Sequence, residues 1–180
     1  MKELILGGAR SGKSRLAQEK AEASGLTVIY VATAEAHDQE MSERIQLHQQ
    51  DRPQEWYTIE EPILLGDVLT KQAQVGTLIL VDCLTLWLSN LLCLDDEQRF
   101  KQEVESFLSL VPTLPGSIIF VSNEVGQGVI PTNSLARRFV DESGWLHQQL
   151  AKLCEQVTFV TAGLPQVLKS KQSLNSSQCL

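Results

Sequence analysis

The sequence has no apolar run long enough for a membrane span, and no basic leader followed by a cleavage site. A spanning helix and a signal peptide are therefore not expected. Lysine and arginine, 15 together against 22 acidic residues, form no cluster, and the formal net charge is -7. That balance excludes the electrostatic footprint of a general nucleic-acid binder. No pair among Cys83, Cys93, Cys154 and Cys179 has C-x-x-C spacing, so a zinc site is not indicated. Three of these cysteines sit in apolar surroundings, which suits small buried hydrophobes in a reducing, cytoplasmic compartment. No internal repeat occurs.

What is present is an alternation of apolar runs and amphipathic stretches over 180 residues, enough for one domain with a full core. The runs at 4–6, 27–32, 77–81, 117–121 and 157–161 read as buried strands, the last being the final one. A short strand is expected at 56–59. Helices are expected at 13–23, 38–50, 63–72, 84–92, 97–111 and 135–154. Apolar strands separated by helices predict an α/β fold of the P-loop NTPase type, a mostly parallel sheet with helices on both faces. Residues 1–168 read as a single nucleotide-binding catalytic domain. Residues 169–180, rich in Ser, Gln and Asn, read as a disordered tail. Ligands in such folds bind at the carboxyl ends of the strands, so the residues just past each strand are the ones to inspect.

After the first strand, Gly7-Gly8-Ala9-Arg10-Ser11-Gly12-Lys13-Ser14 satisfies G-x-x-x-x-G-K-[ST] at every fixed position. Small residues let successive backbone N–H groups face phosphate oxygens, and the following helix adds its positive end. Lys13 is placed to bridge the β- and γ-phosphates of ATP or GTP, and Ser14 to hold Mg²⁺. Asp82 ends the most apolar strand. An acid there supports the metal in P-loop proteins, and helix capping is a second use compatible with the first. Thr33, Ala34 and Glu35 follow the second strand and are candidate nucleotide contacts. So is Glu60, for ribose or base, although a solvated loop carboxylate fits the same position.

The sequence holds three histidines, His37, His48 and His147. Glu40, Arg44 and His48 are spaced four apart and line one side of the expected helix 38–50, beside Met41 and Ile45. Arg44 lies one turn before His48 and Arg52 one turn after, and such cations disfavour imidazolium. A neutral, nucleophilic imidazole is one reading. A boundary histidine on an ordinary amphipathic helix satisfies the spacing equally.

Four blocks carry a resemblance: GGARSGKSR at the first turn, RIQLHQQDRP from Arg44, VSNEVGQGVIP from Val121 and LARRF from Leu135. In this order they resemble the bifunctional adenosylcobinamide kinase/adenosylcobinamide-phosphate guanylyltransferase family, over roughly residues 2–168. The resemblance implies two reactions. A nucleoside triphosphate phosphorylates the aminopropanol hydroxyl of adenosylcobinamide. GTP then guanylylates an enzyme histidine, with release of pyrophosphate, and the GMP passes to adenosylcobinamide phosphate. The family histidine falls on His48, and the preceding position, where relatives can carry a second histidine, is Leu47. The resemblance also implies a homotrimer with nucleotide sites near subunit boundaries. The apolar segment 84–94, with Trp87 read as exposed, adds loose support.

The sequence departs from the family where many relatives carry Gly-Arg-x-Asn. Here the segment is Gly144-Trp145-Leu146-His147. His147 is a weak second candidate for chemistry, against a surface or interface histidine on a long helix. The loop from Asn123 to Gly128, with two glycines, is expected near substrate. A P-loop small-molecule kinase without a covalent intermediate, and a nucleotide-gated regulatory module, are the competing functions.

Overall fold

The computed structural model describes residues 1–35, Gln39 and residues 53–170. Seven strands form one sheet: β1 (Lys2–Gly7), β2 (Thr27–Ala32), β3 (Tyr57–Glu60), β4 (Thr77–Asp82), β5 (Ser117–Asn123), β6 (Gln156–Thr161) and β7 (Leu164–Lys169). Their order across the sheet is β3-β2-β4-β5-β1-β6-β7, with β6–β7 antiparallel and the other pairs parallel. Among the described residues the full helices are α1 (Lys13–Ala23), α2 (Leu65–Gln72), α3 (Leu84–Cys93), α4 (Glu97–Leu110) and α5 (Ser134–Leu153), with a 3-10 turn at Val111–Thr113.

Strand alternation builds a core on each face. Leu4, Leu6, Ile29, Val31, Ile79 and Val81 pack on one side with residues of α2, α3, α4 and α5. Ile5, Val28, Tyr30, Leu78 and Leu80 pack on the other with Ala17 and Ala21 of α1. Both faces being covered, the central strands carry unbroken apolar runs through their middles, as the sequence pattern requires. Capping fixes two helix starts. Asp96 accepts from the Arg99 amide at 2.9 Å, and Asn133 from the Ala136 amide at 3.0 Å.

Three expectations need correction. The final strand is β7, beyond 157–161. Ala162 and Gly163, with φ of 52° and 78°, form a two-residue turn that returns the chain antiparallel to β6. Pro165 is tolerated because β7 is an edge strand. Lys169 is its last residue, and its Nζ donates to the carbonyls of Ala151, Lys152 and Cys154 at 2.6–3.1 Å, where α5 ends. Residues 171–180 lie outside the described residues.

Helix α2 starts at Leu65, not 63, because the Glu61 carboxylate accepts from the amides of Ile63 and Leu64 ahead of it. Trp87 is fully buried rather than exposed. It packs against Phe107 with ring centroids 5.0 Å apart, and its indole N–H donates to the Ile63 carbonyl at 2.8 Å. It therefore supports the core and not an assembly. Apart from Gln39, the expected helix at 38–50 lies outside the described residues, Arg44 and His48 included.

Candidate active site

The loop between β1 and α1 has the conformation that its glycines permit. A Cβ on Gly7 would stand 2.5 Å from both the Ser11 hydroxyl and the Val160 carbonyl oxygen. Arg10 and Gly12 have φ of 54° and 95°, which aims consecutive backbone amides to one side. Helix α1 has Gly12 at its N-cap, no side-chain cap and no acidic residue in its first turn. Its positive end is thus left to an external anion. Lys13 is buried, with Nζ donating to the Gly8 carbonyl at 3.1 Å. Ser14 is half-buried, and Ala9 and Arg10 are exposed. The Ser11 hydroxyl is buried without a partner.

The sheet brings Asp82 to this loop. β5 lies between β1 and β4, with Asn123 opposite Gly7 and Val121 opposite Asp82. The Tyr30 hydroxyl donates to Asp82 Oδ2 at 3.0 Å, and the Tyr30 ring stacks on Trp56. Cys83 registers both charged groups. Burial and the Asp82 carboxylate push its thiol up, and the Lys13 ammonium pulls it down. Ser14 and Asp82 supply oxygen donors, and a hydroxyl with a carboxylate is the donor chemistry that Mg²⁺ accepts.

The other expected contacts fall along the same edge. Ala32 is in register with both Asp82 and Glu60, so Asp82, the end of β2 and Glu60 form a row. Ala34 is half-buried, and Glu35 and Glu60 are exposed. Thr33 is fully buried. Its hydroxyl donates to the Cys83 carbonyl at 2.7 Å and accepts from the Cys83 amide at 3.0 Å. It clamps the turn after Asp82. His48 and Arg52 lie outside the described residues, in the segment between Glu35 and Pro53.

Two features escaped the sequence reading. His147 is buried rather than on the surface, with Nε2 2.7 Å from the Ser122 hydroxyl and Nδ1 3.7 Å from Glu124 Oε2. Burial lowers its pKa and outweighs the pull of Glu124. A period of three to four over Ser143, Leu146, His147 and Leu150 was the available signal. The second feature is the turn at Gly163, whose amide donates to the Ser11 carbonyl at 2.8 Å and so braces the phosphate loop.

An uncapped helix start after a glycine loop, a buried lysine and a strand-end acid one strand removed define a P-loop NTPase. Solved structures agree on the fold. A RadB recombinase matches with TM-score 0.52 at 17% identity over 88% of this chain and 73% of its own. An ATPase from a type III secretion system matches with TM-score 0.53 at 14% identity, over 97% and 58%.

The chain belongs to the family described as cobinamide kinase / cobinamide phosphate guanyltransferase, whose model matches residues 3–168. It is 57% identical over 171 residues to the bifunctional adenosylcobalamin biosynthesis protein CobP of Pseudomonas aeruginosa, covering 95% of this chain and 99% of that one. To the bifunctional adenosylcobalamin biosynthesis protein CobU of Escherichia coli it is 35% identical, covering 89% and 96%. The chain is thus an enzyme of this kinase and guanylyltransferase family. Among the described residues no helix is long and apolar enough to cross a membrane.

Proposed function

We propose that the chain phosphorylates adenosylcobinamide with ATP or GTP. It then carries GMP from GTP, as a guanylyl group on His48, to adenosylcobinamide phosphate, yielding adenosylcobinamide-GDP and pyrophosphate. The observation that carries this reading is the open, uncapped start of α1 beside buried Lys13, in a chain of this family.

The backbone amides after Gly7 and the first turn of α1 receive the phosphate oxygens. Lys13 exchanges its contact with the Gly8 carbonyl for the β- and γ-phosphates, where charge develops as either anhydride bond breaks. Ser14 and Asp82 would hold Mg²⁺, which would supply positive charge against the triphosphate. In the first half-reaction the substrate hydroxyl attacks Pγ directly. In the second, the neutral imidazole of His48 attacks Pα and divides one displacement into two. Thr33, Ala34, Glu35, Arg52 and Glu60 belong to the nucleotide side of the site, with Thr33 acting through the Cys83 turn. The working form is a cytoplasmic homotrimer, and exposed Val129, Ile130 and Trp145 supply apolar surface for it.

Incubation with α-labelled GTP followed by denaturation tests the covalent route. Acid-labile, alkali-stable label on the protein is expected. Absence of label together with normal phosphorylation of adenosylcobinamide would leave a plain kinase.

A further inference from the structure

We infer that His147 is a positioning residue for Glu124, and that the carboxylate it orients takes the proton of the acceptor hydroxyl in the phosphorylation half-reaction. The inference rests on the kinase reading above and assigns residues to it.

Ser122 and Glu124 are two apart on the chain where β5 ends, and alternate strand residues share a face. One imidazole on α5 meets both, with Nε2 2.7 Å from Ser122 Oγ and Nδ1 3.7 Å from Glu124 Oε2. Burial keeps the ring neutral, so it carries a single N–H. With the Ser122 hydroxyl donating to Nε2, that N–H sits on Nδ1 and faces the carboxylate. The Nδ1 atom is buried without a hydrogen-bond partner. A buried donor without an acceptor is unfavourable, and Glu124 is the acceptor within reach. The contact needs to shorten by only about 0.7 Å to become an N–H···O bond.

The rest of Glu124 is already held at the phosphate loop. Its amide donates to the Gly7 carbonyl at 3.0 Å, and Oε1 accepts from the Gly126 amide at 2.7 Å. Oε2, which faces His147, has a second lone pair for an incoming group. Because β5 lies between β1 and β4, Glu124 follows the strand end that lies between the phosphate loop and the end of β4, with its side chain turned to α5. Among the described residues its ionic neighbour is His147, not a lysine or arginine. A neutral imidazole orients a carboxylate without the loss of basicity that a cation imposes.

The step balances. The hydroxyl oxygen forms its bond to Pγ, the bond from Pγ to the bridging oxygen breaks, and the electron pair leaves with the nucleoside diphosphate. The hydroxyl proton passes to Glu124 and then to solvent, to which this side chain is 21% exposed.

Two isosteres separate the roles of the ring nitrogens. An asparagine amide occupies the place of Nδ1, and a glutamine amide that of Nε2. His147→Asn keeps the contact to Glu124, and His147→Gln keeps only that to Ser122. The expected result is a fall in kcat for phosphorylation of about tenfold or more in His147→Gln, and of no more than about threefold in His147→Asn. Glu124→Gln should lose about a hundredfold or more. Label retained from α-labelled GTP should persist in all three variants, because that half-reaction uses a different nucleophile.

Equal kcat in the two histidine variants, or near-wild-type phosphorylation by Glu124→Gln, would overturn the inference and leave the kinase reading standing. A wild-type protein that does not phosphorylate adenosylcobinamide would overturn both. If His147→Gln does not fold, Glu124→Gln decides alone.

Discussion

The Gly163 amide donates to the Ser11 carbonyl at 2.8 Å, so the turn between β6 and β7 holds the middle of the phosphate loop. A Cβ on Gly163 would meet only Arg15 Nη2 at 3.8 Å, but the φ of 78° disfavours any side chain. Gly163→Ala should cost about 1 kcal/mol of stability and also weaken nucleotide binding, read as a raised Kd. Gly25 has a φ of 66° with nothing within 4 Å of a built Cβ, far along α1 from the loop. Gly25→Ala should cost the same stability and leave the nucleotide Kd unchanged. Denaturant unfolding and nucleotide titration on both variants check this.

In the proposed reactions Lys13 is the cation that both half-reactions share. Lys13→Ala should lower kcat/KM for phosphorylation and for guanylyl transfer alike, by about a hundredfold or more. Its circular dichroism should match wild type. Near-normal turnover in either half-reaction would contradict the role given to this residue.

Trp87 joins α3 to the loop before α2 through its bond to Ile63 and to α4 through Phe107. Trp87→Ala should cost about 3–5 kcal/mol. Trp87→Phe keeps the ring but leaves the Ile63 carbonyl unpaired, at about 1–3 kcal/mol. Urea unfolding distinguishes the two.

Burial pushes the Cys154 thiol up to about 12. Cys83 is likewise raised, and Cys93 is exposed. Alkylation of the native protein near pH 8 should therefore modify Cys93 and spare Cys83 and Cys154. The raised pKa of Cys154 also has a stability consequence. The unfolded thiol ionises at its ordinary pKa while the folded one stays protonated, so its contribution is complete below that pKa. It is lost as pH rises toward about 12, by about 1.4 kcal/mol per unit. The alkaline slope of stability against pH should be shallower in Cys154→Ala.

Most of the fold was legible because the central strands carry unbroken apolar runs and the phosphate-loop pattern fixes its neighbours. β7 was not legible. Its residues are exposed on an edge, Leu164, Val167 and Leu168 among them, and Pro165 interrupts the run. The Ala162-Gly163 turn lacks the Asn-Gly or Asp-Gly pair that announces a hairpin. Trp87 was misplaced because α3 is apolar nearly all round, and such a helix does not declare its outer face. The partners of His147 could not be read either, since Ser122 and Glu124 approach it only when α5 packs beside β5. In the site, Lys13 and Asp82 fall where the motif and the strand end predict. The sequence singled out Thr33 as a ligand contact, but its hydroxyl is taken up by the Cys83 backbone.

The proposed covalent route depends on His48, four residues after Arg44 in the block Arg44-Ile45-Gln46-Leu47-His48. His48→Ala removes the proposed nucleophile for Pα but not the direct attack of a hydroxyl on Pγ. The decisive measurement is the ratio of guanylyl transfer to phosphorylation in His48→Ala against wild type, with label from α-labelled GTP followed on the same samples. Guanylyl transfer and label should vanish while phosphorylation of adenosylcobinamide persists, so the ratio falls toward zero. An unchanged ratio, or undiminished label on the variant, would contradict the covalent mechanism.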